Sequence, residues 1–229
     1  MAKRNIYIPL KKKIGVEIQE IEFEWFPGLS KAQKQRSIRS LHMQAKIKGI
    51  FPILEVSSKS ETKIGVDLSA FNLSFETSKN RKIMVENAFQ GSKVFENGGP
   101  YIDLYSKSPI EAKKDLRLKK SGRLIKFRFY NEEFELKPRT FFYDWLYIKS
   151  LSKRKEFYKK IIEYSAFSDI EFNPEKSINC QAYSLALFVS LYTNNVLDLA
   201  LSKKEDFLEL TRREYEKKDK LYQNLDLLI

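Results

Sequence analysis

Glu86 and Lys93 are the residues of this chain whose types and spacing best suit chemistry. They lie in Val85-Glu86-Asn87-Ala88-Phe89-Gln90-Gly91-Ser92-Lys93-Val94-Phe95. Glu86, Phe89, Gln90 and Lys93 fall at i, i+3, i+4 and i+7, which predicts one helix over 83–95 with all four on one face. Two turns would separate the carboxylate from the amine by about 10 Å along the axis. That span is too long for direct contact but wide enough to grip one substrate from two sides. On a solvated face the same pair would be an ordinary surface glutamate and lysine.

The elements around this segment read as α+β, with more helix than strand and no repeat or Gly/Ser linker. Residues 14–25 alternate apolar and polar and predict a half-exposed strand. Pro27-Gly28 turns the chain, and Ser30 caps a helix over 31–47 with Ile38, Leu41 and Ala45 on its apolar side. Residues 51–57 and 63–67 read as short strands, and 69–74 as a loop. Gly98-Gly99-Pro100 ends the Glu86 segment. Ser108-Pro109 opens a helix to about Lys120, stopped by Gly122. A hairpin follows over 123–130 and 133–137, then helices over 140–151 and 153–164 and a short strand or loop at 168–172. The apolar stretch after Asn173-Pro174 predicts a buried central helix over 175–194, and mixed charges over 203–221 predict a solvated outer one. The reading is of one domain over 1–229.

The chain has 229 residues, 42 % of them hydrophobic, enough for a sizeable core and against global disorder. No apolar run reaches membrane-spanning length, and the first residues lack the apolar stretch of a secretory signal, so a cytoplasmic location is expected. One Cys, Cys180, excludes an internal disulfide, and a single His, His42, leaves no His/Cys metal set. Neither a metal nor a cofactor is expected. Cys180 reads as a small buried residue and His42 as a helix histidine rather than a base. The net charge of +12 is concentrated at Lys11-Lys12-Lys13, in Lys31, Lys34, Arg36 and Arg39, and over 113–128. Such a balance fits a polyanionic partner, nucleic acid or a phosphorylated ligand, or else simple solubilising charge.

Several strings together resemble the NADAR family, in the branch of antitoxins that accompany guanine-specific DNA ADP-ribosyltransferase toxins. They are Leu-Glu-Val-Ser-Ser-Lys-Ser at 54–60, Leu-Ser-Ala-Phe-Asn-Leu at 68–73, the Glu86 segment, Gly-Gly-Pro-Tyr-Ile-Asp-Leu-Tyr at 98–105, Phe-Tyr-Asp-Trp-Leu-Tyr at 142–147 and the stretch 169–182. The resemblance implies a NADAR-like fold, with 51–200 as catalytic core and 1–50 as a branch-specific N-terminal part. Glu86 and Lys93 match the Glu and Lys of the family's Ser-Glu-His…Gln-x-x-Lys signature. Asn87 replaces its His, so that residue's role does not carry over. Asn72 matches the Asn of a Leu-Ser-Asn-Phe element only loosely, and Trp145 matches the Trp of an Asp-Trp segment.

The activity implied is hydrolysis of the N-glycosidic bond between ADP-ribose and guanine in DNA, reversing the cognate toxin's modification. The implied partners are ADP-ribosylated DNA, ADP-ribose as product and that toxin, with no membrane. Bond cleavage builds positive charge at the ribose anomeric carbon, which a carboxylate such as Glu86 stabilises, unless it carries a proton instead. A deprotonated Lys93 can exchange into the ring-opened imine as a Schiff base, or a charged one can bind phosphate. Gln90 shares their face. Gly98 and Gly99 offer backbone N–H groups to a pyrophosphate or form a plain turn. Arg117 is a phosphate candidate. Asp103, Asp169 and Glu171 either hold substrate or cap turns. Trp145 and Tyr147 either stack on a base or belong to the core. Two alternatives remain: an N-glycosidase of a phosphorylated riboflavin-pathway intermediate, and a non-catalytic antitoxin that binds toxin or DNA.

Overall fold

In a computed structural model, which describes residues 1–77, 81–173 and 177–226 (side chains to residue 220), the alternation at 14–25 becomes the strand β2, Val16–Phe23. It pairs antiparallel along its length with β1, Ala2–Pro9, a strand the periodicity does not predict. Helix α1 spans Lys31–Ile47, as expected. The Ser30 hydroxyl accepts from the Gln33 N–H, and Ile38, Leu41 and Ala45 are buried. Strand β3 is Ile53–Glu55. Residues 63–67, expected as a strand, form the short helix α2, Lys63–Asp67. Local chemistry decides this: the Thr62 hydroxyl caps the Gly65 N–H, and Lys63 pairs with Asp67 at i,i+4.

Strands β4, Ser74–Glu76, and β5, Lys82–Met84, pair antiparallel and lead into α3, Val85–Gly91, and β6, Lys93–Phe95. The expected helix 109–120 is broken at Asp115 into α4, Pro109–Lys114, and α5, Arg117–Lys120. Ser108 and Glu111 form a reciprocal capping box at its start. The hairpin is β7, Leu124–Phe129, with β8, Glu132–Phe134, turning through Tyr130 at φ +51°. Helix α6 spans Phe141–Ser152. The expected helix 153–164 is only a 3-10 turn and α7, Tyr158–Ile161. Strand β9 is Ala166–Ser168.

The central helix α8 runs Gln181–Thr193, starting later than expected. Residues 174–176 lie outside those described, and 177–180 are not helical. Every side chain from Gln181 to Leu191 is buried, which explains the absence of a polar stripe in its sequence. A short α9, Leu197–Ala200, precedes α10, Lys204–Asp226. Helix α10 is not simply a solvated one. Phe207, Thr211, Glu214, Tyr215 and Lys218 are all buried, at helical spacing.

Contacts divide the chain into two units: Met1–Ser69 with Arg154–Glu214, and Ala70–Lys153 with the chain from Tyr215 on. The first is built on a four-stranded sheet of order β2-β1-β9-β3, antiparallel except for the β3/β9 pair. Ile6, Ile21, Phe23, Ile38, Leu41 and Ile53 form its core with the inner side of α1. The second holds the three-stranded sheet β6-β7-β8 and an aromatic cluster. There Phe142 lies 4.8 Å from Phe127 and 4.7 Å from Phe134, and Trp145 lies 5.0 Å from Phe134. Helix outweighs strand throughout, so the fold is α+β.

Trp145 is 2 % exposed. We expect Trp145→Ala to destabilise the protein by about 3–5 kcal/mol, the usual cost of emptying a large aromatic site. Urea unfolding followed by far-UV circular dichroism measures it.

Candidate active site

Backbone pairing, not a side-chain cap, fixes Glu86. Met84 offers no capping side chain at the start of α3. Instead the N–H groups of Val85 and Glu86 donate to the carbonyls of Leu73 and Ala70, at 2.9 and 3.0 Å. Two orphan donors of the first turn are thereby satisfied, and the 70–73 turn that carries Asn72 is tied to the Glu86 backbone. Asn72 itself is exposed. Every residue of α3 is buried, Glu86 at 5 % exposure. One turn on, Gln90 Nε2 donates to Glu86 Oε1 at 2.9 Å. Gln90 Oε1 is buried with no hydrogen-bond partner. Gln90 thus orients the carboxylate and keeps one acceptor available to a donor. Asn87 instead braces the backbone. Its amide donates to the carbonyls of Leu104 and Lys107, both at 2.7 Å, pinning the segment after the glycines.

Lys93 is not on the helix, contrary to the expected helix over 83–95. The helix ends at Gly91, and the Ser92 carbonyl accepts from the Arg128 N–H at 2.8 Å. Lys93 then opens β6, opposite Phe127 on β7. Strand pairing replaces the last helical turn, so the 10 Å axial estimate does not apply. The two groups are nonetheless brought into one environment. Lys93 Nζ lies 4.9 Å from the centre of the Phe89 ring. Burial pushes its amine down to about 8; the charge of Glu86 works against this and that of Lys113 with it. Lys113 sits 5.3 Å over the Phe71 ring. Its part is not legible in the sequence, although it belongs to the basic run at 113–128. A buried carboxylate, its amide support and an amine whose charged form burial disfavours are groups that acid, base or nucleophilic chemistry can use.

Other expected residues turn out to have structural employment. Arg117 is saturated by carboxylates. It contacts Asp103 at 2.6 Å and Asp115 at 2.9 Å, and lies 4.4 Å over the Tyr101 ring. Arg117 holds the Asp103 carboxyl below the usual carboxylate range, and lies so close to Asp115 that it does the same there. Arg117, read as a phosphate contact, and Asp103, read as a substrate or capping residue, are paired with each other here. Gly98 and Gly99 form a tight turn in which the Phe95 N–H donates to the Gly98 carbonyl at 2.7 Å. Gly99 has φ +86°, and a Cβ there would stand 2.2 Å from the Lys93 carbonyl oxygen. These glycines let the turn close against the Lys93 backbone, which is a plain reason for their presence. Trp145 and Tyr147 are core residues at 2 % and 0 % exposure, with no free ring face for stacking on a base.

Asp169 and Glu171 belong to the first unit. Asp169 Oδ1 accepts from the N–H groups of Glu171 and Phe172, the bonds of a capping carboxylate. Burial, and then the nearby Glu55, raise its pKa well above the ordinary range. Glu171 accepts from Ser58 at 2.9 Å and lies 3.7 Å from Lys59. Glu55, on β3, carries no signal in the sequence that marks it out. It accepts from the Ser168 hydroxyl and from the Ile170 N–H. Ser168 Oγ in turn meets His42 Nε2 at 2.8 Å. Ser168 thus links the Glu55 carboxylate, to which it donates, with the His42 ring. Burial pushes His42 down to about 4, which keeps it neutral. Burial also raises the Cys180 thiol, as expected for an inert cysteine. Among the described residues no group of His, Cys, Asp and Glu is arranged to hold a metal ion, and no helix is long and apolar enough to cross a membrane.

No curated protein matches the chain. A family model does, over nearly its full length. The match runs through the 70–73 turn, the Glu86 helix, Lys93 and the glycine turn, and on into α10. Residues 2–221 fit the model of the DarT1-associated NADAR antitoxin, and the chain belongs to that family.

Proposed function

We propose that this antitoxin is a glycohydrolase that removes ADP-ribose from guanine in DNA, with Glu86 and Lys93 as its catalytic residues. The observation that carries this reading is a buried, amide-supported carboxylate whose charge acts on a nearby amine that burial pushes down to about 8. A lysine meant only for phosphate needs to stay charged, whereas this environment disfavours its charge. That favours the covalent route over phosphate binding. The ring-opened ribose presents an imine at C1″. The neutral Lys93 amine adds there, and the guanine exocyclic nitrogen leaves with the bonding pair and a proton. Water then hydrolyses the lysine Schiff base, releasing ADP-ribose and restoring the amine. Glu86 carries the proton to the leaving nitrogen and stabilises positive charge at C1″. Gln90 Oε1, buried without a partner, accepts from a sugar hydroxyl.

The test is incubation of the purified protein with a guanine-ADP-ribosylated oligonucleotide, with mass analysis of both products. Unmodified DNA and free ADP-ribose are expected. Borohydride added during turnover is expected to leave a sugar-phosphate adduct on Lys93. Modified DNA left intact by folded protein excludes the reading.

A further inference from the structure

We infer that the turn Leu10–Gly15 is a preformed clamp for the phosphate backbone of DNA, with Lys11, Lys12 and Lys13 as its contacts. This deepens the proposed function and rests on it, because it assigns the polymeric part of the substrate to a fixed element. The turn joins β1 to β2 in the first unit and is held from beneath by side chains of α8, its C-terminal cap and α10. Ser190 Oγ, on α8, accepts from the Gly15 N–H at 3.0 Å and donates to the Leu10 carbonyl at 2.8 Å. Asn194 Nδ2 donates to the same carbonyl at 3.1 Å and to that of Lys13 at 3.3 Å. On α10, Glu214 Oε2 accepts from the Val16 N–H at 3.0 Å. Gly15 has φ +146°, and a Cβ there would stand 2.4 Å from Glu214 Oε1, so the carboxylate packs directly against the turn.

A surface loop without a role is rarely pinned at both ends by buried groups, because loops tolerate mobility. Here the pinned backbone presents consecutive lysines. All are exposed, and none has an ion-pair partner among the described residues. Glu214 is the carboxylate beneath them, and it is engaged by the Val16 N–H. Holding like charges together costs energy that a polyanion offsets. Elsewhere much of the basic charge is already engaged, although Lys114, Lys119 and Lys120 are also exposed. Arg123 and Lys126 of the 113–128 run hold Glu96 and Glu133, and Arg117 is doubly paired. On α1, Arg39 pairs with Glu61, while Lys34 and Arg36 lie over Trp25 and Phe26. Three free ammonium groups on a braced turn match the charge of successive phosphates, and the turn's apolar residues, Leu10 and Ile14, are half-buried rather than presented for insertion into a lipid bilayer. The chain's net charge of +12 supports the same choice.

The test needs no turnover. Fluorescence anisotropy with an unmodified duplex of about 20 base pairs, long enough to span several phosphate contacts, compares wild type with the triple variant Lys11→Gln, Lys12→Gln, Lys13→Gln across a potassium chloride series. A charge-matched control replaces the exposed Lys155, Lys159 and Lys160 by Gln. The turn variant is expected to bind about tenfold more weakly at moderate salt, with its log–log salt slope reduced by about 2–3, the value for losing two or three phosphate contacts. The control is expected to change far less. Equal losses in both variants, or none in the turn variant, overturn the proposal. So does tighter binding of wild type to phosphatidylserine vesicles than to duplex at the same salt. Wild type that binds duplex through the turn but leaves modified DNA intact sinks the glycohydrolase reading alone.

Discussion

Glu86→Gln is expected to lower turnover of guanine-ADP-ribosylated DNA by about 10²–10³-fold without unfolding the protein. The magnitude is that of removing one general acid–base or electrostatic group from an enclosed site. The substitution keeps the side chain's shape. Its Oε1 still accepts from Gln90 Nε2, so the 2.9 Å bond that orients it survives. Its backbone N–H remains on the Ala70 carbonyl. Wild type and Glu86→Gln should therefore melt within about 2 °C of each other, the shift expected for a change of well under 1 kcal/mol. A second consequence follows from the charge. Glu86 holds the Lys93 amine up against the effect of burial. Without it the amine deprotonates at lower pH, so the rising limb of the residual activity should move to more acid pH. Rates measured between about pH 6 and 9, a range that brackets the Lys93 titration, check both points. Protection by Glu86→Gln equal to wild type would show instead that the antitoxin works by binding.

The contrast between Glu86 and Lys93 shows what the sequence could reveal. The spacing i, i+3, i+4, i+7 places Glu86, Phe89 and Gln90 together on α3, but Lys93 lies outside the helix. A strand start after Gly91 returns Lys93 to the Phe89 ring by another path, and only the long-range pairing with Phe127 on β7 reveals it. Local signals are readable where the chemistry is local: Ser30 caps α1, Ser108-Pro109 opens α4, and Gly122 closes the run after α5 at φ +83°. They fail where partners are distant in sequence. Nothing near Asp103 announces Arg117, 14 residues on, and nothing near Glu55 announces Ser168, 113 residues on. Strand β1 is hidden because Ala2–Pro9 mixes Lys, Arg and Asn with its apolar residues, and its identity as a strand comes from pairing with β2. Trp145 is ambiguous because an aromatic on an apolar helix reads the same whether it stacks on a base or on Phe134. Carboxylates and guanidinium groups that look ready for a ligand are, in several cases here, each other's ligands.

Lys93→Met should abolish activity and make the protein more stable. A catalytic amine kept near neutrality is a burden on the fold, and the sign can be worked out. The ordinary value is 10.5 and the folded value is about 8, so the folded state binds the proton less tightly than the unfolded state. Below about pH 8 both states are protonated and the folded state carries the full cost of an enclosed ammonium. Between about 8 and 10.5 only the unfolded state is protonated, and the cost fades as pH rises. Methionine has a similar reach and no charge, so Lys93→Met should gain at most about 3 kcal/mol at pH 7, from the size of the shift, and the advantage should vanish by pH 10.5. Chemical unfolding of both proteins at neutral pH and at pH 10.5 measures it. The same shift accounts for the loss of activity. At pH 7 roughly one Lys93 in ten is neutral, against about three in ten thousand for an ordinary lysine, so the fold exchanges stability for a several-hundred-fold larger population of nucleophile. A lysine present only to hold phosphate would behave in the opposite way. Its removal would weaken substrate binding and leave borohydride with nothing to trap.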